Sequence, residues 1–223
     1  MRFFLSRLHF PVTTLGPGCR VGIWFQGCSL HCPGCISADT WTHGQGQTTV
    51  AEVMQAVSPW LVEANGVTIS GGEPFEQIEA LECLLSALRT EIGEDKDVLI
   101  YSGQTWEKIA PRVTTWTGLA DVVICDPFVR SAPQTLVWRG SDNQRLLPLT
   151  ELGRRRYDPW LQAARADLPK ALDLCFDGDS VWMAGIPDAG SLGMIQLALA
   201  EVGFSSAVSD AKDGNTFPHP VFA

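Results

Sequence analysis

Between residues 20 and about 125, short apolar runs alternate with amphipathic stretches, and this alternation limits the fold more than any other feature of the chain. The apolar runs are short enough to be buried strands and lie at 20–26, 66–70, 97–102 and 121–125. Three stretches between or after them carry apolar residues at three- and four-residue steps, which predicts helices at 49–58, 74–88 and 106–110. Alternating strands and helices predict an α/β fold with parallel strands and right-handed crossovers, in an open sheet or a partial barrel.

The last third of the chain follows a different pattern. Its predicted elements are a surface helix at 150–166 that Pro159 must kink or restart, a hairpin at 171–184, and an amphipathic helix at 191–202. Residues 213–220 read as a loose tail. We therefore expect a core over residues 12–147 and a small α+β C-terminal extension of unknown role over residues 148–223.

Charge and composition exclude several classes of protein. Sixteen Lys and Arg against 25 Asp and Glu give a net charge of −9, a poor match to phosphate backbones, so we expect no nucleic-acid partner. No apolar run reaches the ~18 residues of a membrane helix, and Arg7 and His9 interrupt the N-terminal apolar segment that a secretory signal needs. We expect a cytoplasmic protein without a membrane partner. An odd number of cysteines, seven, with three of them inside eight residues, favours a metal or redox role in a reducing compartment.

Three cysteines follow the first predicted strand directly, as Cys28-x3-Cys32-x2-Cys35. They are expected at the carboxyl edge of the sheet, where parallel α/β folds bind their ligands. Three thiolates suit iron or zinc, and a [4Fe–4S] cluster on three cysteines would leave one iron for a substrate. The alternative is a zinc knuckle completed by His31 or by a distant cysteine. Cys19 is the candidate that we keep for a fourth ligand.

A second pattern, Thr68 to Pro74, ends the second predicted strand. Gly71 and Gly72 allow the backbone to approach a ligand closely, and Glu73 offers a carboxylate at the same edge. An ordinary strand-to-helix turn can carry the same residues. The pattern from Thr68 to Pro74 comes one βα unit after the cysteine loop, and this position favours a functional interpretation.

The two patterns together resemble the radical SAM superfamily. The resemblance implies a short partial (β/α) barrel and one [4Fe–4S] cluster per chain, held by Cys28, Cys32 and Cys35, whose remaining iron chelates S-adenosylmethionine. It also implies contacts to that cofactor at Gly34, Gly71, Gly72, Glu73 and Ser102. Many members carry an aromatic residue where this chain has Gly34, so an adenine contact there must come from the backbone or from elsewhere.

Further segments are similar to the glycyl-radical activases, foremost the activators of anaerobic ribonucleotide reductase, and lie at 16–20, 26–28, 40–41, 101–105 and 138–145. This resemblance covers roughly residues 12–147, the expected radical SAM core. It implies reductive cleavage of S-adenosylmethionine to a 5′-deoxyadenosyl radical, which abstracts hydrogen from a protein partner. That partner would be a glycyl-radical enzyme such as anaerobic ribonucleotide reductase, and a separate electron donor is needed. No catalytic residue beyond cluster and cofactor is implied.

The chain departs from this group in two places. It has Asp126 in Cys125-Asp126-Pro127-Phe128, where the group usually has Asp-Gly-Pro-Phe, and it continues beyond the compact activase. Two alternatives therefore stay open. One is a radical SAM enzyme that modifies another peptide or small substrate, with residues 148–223 as its recognition element. The other is a metal-stabilised interaction module without enzymatic activity.

Two smaller expectations complete the analysis. A barrel of four or five strands would leave the site open on one side, which suits docking of a protein loop. Asp142 and Arg145 follow the fourth predicted strand and either contact cofactor or partner or lie in a solvated loop.

Overall fold

A computed structural model describes residues 1–167, 172–177, 180–187 and 191–204. Seven strands form one sheet in the order β3-β1-β2-β4-β5-β6-β7. Their bounds are β1 Arg2–Val12, β2 Arg20–Phe25, β3 Gln47–Thr49, β4 Gly66–Gly71, β5 Asp97–Tyr101, β6 Val122–Cys125 and β7 Arg145–Pro148. The middle four strands, β2, β4, β5 and β6, pair in parallel, which confirms the expected α/β class.

Three strands were not foreseen, and all of them pair antiparallel. β1 pairs with β2 on one side and with β3 on the other, while β7 pairs with β6. They make the sheet mixed rather than purely parallel. The predicted partial barrel concerns the curvature of this sheet and stays a prediction.

Helices α1 (Val50–Glu63), α2 (Ile78–Ile92) and α3 (Trp106–Val113) cover one face of the sheet and form the largest buried apolar cluster with it. Strand β2 shows how the sequence builds this face. Val21, Ile23 and Phe25 belong to the large cluster, whereas Trp24 belongs to a separate one on the opposite face. This follows from the alternation of side chains along a strand. The predicted helix at 74–88 begins with a 3-10 turn, Pro74–Gln77, before α2.

The residues after the sheet also follow the prediction in part. Helix α4 (Glu151–Tyr157) ends well before the expected residue 166, because Pro159 stands in a 3-10 turn, Asp158–Trp160, that ends the α-helix. Strands β8 (Leu172–Asp177) and β9 (Ser180–Gly185) pair antiparallel as the predicted hairpin, followed by helix α5 (Ser191–Glu201). The turn of this hairpin at 178–179 and the predicted tail at 213–220 lie outside the described residues. In the described ranges, no helix has the length and apolar character needed to cross a membrane.

A buried charge network lies at the amino ends of β2 and β5. The fully buried Arg20 guanidinium donates to the Asp97 carboxylate at 2.7 Å (Nη2 to Oδ2), and the Tyr157 hydroxyl donates to the same oxygen at 2.6 Å. Burial alone would raise the pKa of Asp97, but the charge of Arg20 and these hydrogen bonds outweigh it and hold that pKa below its usual value. Through Tyr157, helix α4 is fastened to the sheet.

Candidate cluster and cofactor site

The cysteine loop leaves β2 at its carboxyl end and returns to the same point. The Gly27 amide donates to the Thr40 carbonyl at 2.7 Å, and the Cys28 amide donates to the Trp41 carbonyl at 3.1 Å. Gly27 has φ +101, a left-handed conformation that glycine adopts without a steric penalty, and this turns the chain out of the strand. These two hydrogen bonds hold residues 28–40 as a closed loop at the carboxyl edge of the sheet, where the loop was predicted.

Burial affects two of the three predicted ligand thiols, those of Cys28 and Cys35. Burial raises the pKa of the Cys28 thiol to about 11, against hydrogen bonds from the Leu30 and His31 backbone. Burial also raises the pKa of the Cys35 thiol, against hydrogen bonds from Ser37 and from the Trp41 side chain. Such thiols need a metal cation to lose their protons, and hydrogen bonds to sulfur are one means by which a protein tunes an iron–sulfur cluster. The donor set fits an iron–sulfur cluster.

Within the described part of the chain, no three His, Cys, Asp or Glu side chains are placed to hold a single metal ion. In a cubane cluster each thiolate binds a different iron, so its three sulfurs need not converge on one point. His31 and Cys19 are the two candidates for completing a zinc knuckle. The His31 ring packs against the Trp41 ring at 4.7 Å, and Cys19 precedes β2, whose six residues span about 20 Å to the cysteine loop.

The Gly-Gly-Glu strand end packs against the start of the cysteine loop. A Cβ atom at Gly71 would lie 2.4 Å from the Phe25 backbone, and one at Gly72 would lie 2.1 Å from the Gly27 carbonyl oxygen. The Gly72 amide donates to the Phe25 carbonyl and the Glu73 amide to the Gly27 carbonyl, both at 2.8 Å. Both glycines are therefore required for close contact between two backbone segments, a reason that the sequence alone did not supply.

Glu73 is fully buried and its carboxylate is held at three points. It accepts hydrogen bonds from the Phe75 amide at 3.0 Å, the Ser102 hydroxyl at 2.9 Å and the Gly103 amide at 2.8 Å. Burial raises the pKa of Glu73 to about 7, although these three donors act in the opposite direction. The carboxylate faces the site in a fixed orientation without a cationic partner among these contacts, which suits a ligand that brings a positive charge.

A cavity of about 420 Å³ joins these features, within the size range of small-molecule sites. Every predicted site residue lines it: Cys28, Cys32, Gly34, Cys35, Gly71, Gly72, Glu73 and Ser102. The sequence predicted the loops but missed much of the remaining wall, which includes Arg7, Trp24, Tyr101, Phe128, Arg130 and Met183–Pro187. Strand alternation could have identified Trp24, because its side chain points away from the face that Ile23 and Phe25 share.

The loop after β6 supplies another part of the wall, and Asp126 anchors it. Asp126 has φ +87, the left-handed conformation that favours glycine, at the position where the resembling group usually has glycine. Its carboxylate accepts from Arg145 Nε at 2.6 Å and from Arg145 Nη2 at 2.7 Å. Asp142 accepts three hydrogen bonds from Thr135 and Leu136, so Asp142 and Arg145 organise the loop and do not line the cavity.

Known proteins are similar to the part of the chain that carries the cysteine loop and the Gly-Gly-Glu strand end. The family model described as 4Fe-4S single cluster domain matches residues 14–147. An anaerobic ribonucleoside-triphosphate reductase-activating protein of Enterobacteria phage T4 is 33% identical over 142 residues, covering 61% of this chain and 88% of the relative. The activating protein of the same name from Escherichia coli K12 is 26% identical over 144 residues, covering 61% and 93%.

Among solved structures, QueE from Escherichia coli is similar with a TM-score of 0.40 and 16% sequence identity, covering 70% of this chain and 68% of that one. The family match over more than half of the chain and the relative at 33% identity agree with the cysteine and glycine patterns. The chain is therefore a radical SAM enzyme and belongs to the family of the anaerobic ribonucleoside-triphosphate reductase-activating proteins.

Proposed function

We propose that this enzyme reductively cleaves S-adenosylmethionine and installs a glycyl radical on a protein partner, an anaerobic ribonucleotide reductase. One observation carries the proposal: the cysteine loop and the Gly-Gly-Glu strand end line the same cavity. The relatives named as activating proteins of that reductase support the choice of partner. When bound, the cluster supplies the electron that splits the cofactor into methionine and a 5′-deoxyadenosyl radical, which takes hydrogen from the partner.

The residues of this chain hold and orient the reactants. Cys28, Cys32 and Cys35 are proposed as the three cluster ligands, because their thiols line one cavity and backbone amides point at the Cys28 sulfur. Glu73 would pair with the cofactor's ammonium group, because its carboxylate is buried, fixed by three donors and lacks a cation among them. The Gly34 backbone would lie against the adenine-bearing part, since Gly34 lines the cavity too.

The proposal includes the architecture and setting of the enzyme. The seven-stranded sheet would curve as a short partial barrel around the cavity, with residues 12–147 as the radical SAM core and 148–223 as the extension. An external one-electron donor of low potential must reduce the cluster, and we expect this to happen in the reducing cytoplasm.

The test is anaerobic reconstitution with iron and sulfide, reduction, and addition of S-adenosylmethionine. We expect 5′-deoxyadenosine from the wild type and from Cys83→Ala, because Cys83 lies in α2 outside the cavity, and none from Cys28→Ala. A glycyl-radical signal in electron paramagnetic resonance should then appear on added anaerobic ribonucleotide reductase. Cofactor cleavage that survives Cys28→Ala would overturn the ligand assignment, and cleavage without any signal on the reductase would overturn the partner.

A second candidate is modification of another peptide or small substrate. One observation favours it: Met183–Pro187, beyond the residues that the family model matches, line the cavity, as a recognition element would. Cofactor cleavage that depends on a different peptide or small molecule, with no radical on the reductase, is the result that this candidate predicts.

A further inference from the structure

We propose that the β8–β9 hairpin is a fixed wall of the cofactor cavity and that Asp173 is the positioning residue that holds it there. The inference rests on the proposed function, since it concerns the same cavity. The end of β9 and the two residues after it, Met183–Pro187, line the cavity together with the cysteine loop and Glu73. The hairpin thereby contributes directly to the space in which the cofactor would react.

Hydrogen bonds from the two residues that follow β1, Thr13 and Thr14, fix the hairpin. The Asp173 carboxylate in β8 accepts from the Thr13 amide and the Thr13 hydroxyl, both at 2.6 Å, and from the Thr14 hydroxyl at 2.9 Å. The Thr14 hydroxyl also lies 3.2 Å from the Ala184 carbonyl oxygen in β9. Both strands of the hairpin are therefore tied to one short segment beside the sheet, and charge-assisted hydrogen bonds of this kind are the stronger ones.

An apolar contact completes the attachment. Ala184 is only 2% exposed and packs in one cluster with Val12, Leu15 and Trp24. Tyr101 and Ile186 pack against the same cluster, and Trp24 and Tyr101 also line the cavity. Residues 183–187 carry no charged side chain, so the wall that they form is apolar. Such a wall excludes water from the reacting groups, which a radical intermediate requires.

The wall is an addition to the shared core. The family model ends at residue 147, and the relatives align over 61% of this chain while 88 to 93% of their own length is covered. The residues that the family model matches thus leave out the hairpin. We infer that the hairpin narrows the cavity of this chain and positions the cofactor there, and so restricts what can enter beside it to a slender group.

The experiment compares Asp173→Ala with Asp158→Ala, which removes an exposed carboxylate from the 3-10 turn after α4, away from the cavity. Two quantities are measured on cluster-loaded protein without turnover. The first is amide hydrogen exchange in residues 12–15 and 172–185. The second is the affinity for S-adenosylhomocysteine, a cofactor analogue that cannot be cleaved to the radical, by anaerobic calorimetry.

For Asp173→Ala we expect at least tenfold faster exchange in both segments and at least fivefold weaker binding, and for Asp158→Ala neither change. Asp173→Asn, which keeps one acceptor oxygen, should fall between. If Asp173→Ala is poorly folded, Thr14→Val provides the same comparison, since it removes one hydroxyl while keeping the side-chain shape.

Two results would overturn the inference. Faster exchange with unchanged binding would mean that the hairpin is docked but is not a wall of the cofactor site. Unchanged exchange would mean that Asp173 does not hold the hairpin. These results differ from a failure of the proposed function, which would appear in the wild type itself as absence of analogue binding and of cofactor cleavage.

Discussion

Replacing Glu73 by glutamine should change how the stability of the enzyme depends on pH. Glu73 is buried, and its pKa is raised from an ordinary 4.5 to about 7. An acid whose pKa is higher in the folded than in the unfolded state binds more protons when folded. Its stabilising contribution is therefore fully present below pH 4.5 and is lost as the pH rises through 7. Glu73→Gln removes this titration.

The magnitude follows from the two pKa values. For one group with values of 4.5 and about 7, linkage lowers the free energy of unfolding by about 2 kcal/mol between pH 5.5 and pH 8. The wild type should lose this amount over the interval in addition to what the variant loses. The stability of Glu73→Gln at a single pH says less about the Glu73 pKa than the pH dependence does. The substitution also removes a hydrogen bond, because the glutamine NH2 group cannot accept from the Gly103 amide as the second carboxylate oxygen does.

Urea unfolding of cluster-free, reduced protein at both pH values, followed by far-ultraviolet circular dichroism, measures the difference. Glu79→Gln, an exposed position in α2, serves as the control and should behave as the wild type. Parallel pH dependences for wild type and Glu73→Gln, within the 10–15% error that extrapolation carries, would refute the raised pKa and with it the account of a buried carboxylate without a cation among its three donors.

Three further changes test other parts of the structure. Tyr157→Phe removes the hydrogen bond to the buried Asp97 carboxylate and should cost about 1.5–3 kcal/mol in urea unfolding; a loss too small to measure would mean that the Tyr157 hydroxyl does not help to hold α4. Gly72→Ala forces a methyl group against the carbonyl oxygen opposite it and should lower the melting temperature of the cluster-free protein, whereas Gly193→Ala, with open space around it, should not. Cys32→Ala should abolish the absorbance of the 4-iron cluster in reconstituted protein while the cluster-free melting temperature stays unchanged; retained absorbance would contradict the ligand assignment.

The sequence was sufficient for the elements that a local pattern specifies. Strands β2, β5 and β6 read as largely apolar runs because apolar clusters cover both of their faces, and such runs are recognisable without a structure. The antiparallel strands β1, β3 and β7 were missed because their pairing partners are set by tertiary contacts. In β1 most side chains are half-buried or exposed, so the strand has no continuous apolar run by which it could be predicted.

The site, too, has a part that could be predicted from local motifs and a part that could not. The cysteine loop and the Gly-Gly-Glu turn carry their chemistry in short motifs, and both line the cavity. Residues such as Trp24, Arg130 and Met183 lack such a motif, and they reach the cavity only through strand alternation or through the path of the chain. The resemblance marked Asp126 as standing where the group usually has glycine, but neither the left-handed conformation of Asp126 nor its pairing with Arg145 could be read from the sequence.

The charge network and the cavity occupy opposite ends of the same strands. Arg20 and Asp97 begin β2 and β5, whereas the cysteine loop and Ser102 follow their last residues. The buried ion pair that stabilises the fold thus lies at the amino edge of the sheet, and the residues that line the cavity lie at the carboxyl edge. For protein engineering this is a favourable arrangement: the loops at the carboxyl edge can be diversified to change what the enzyme acts on, while the amino edge is left untouched as the foundation that tolerates those changes.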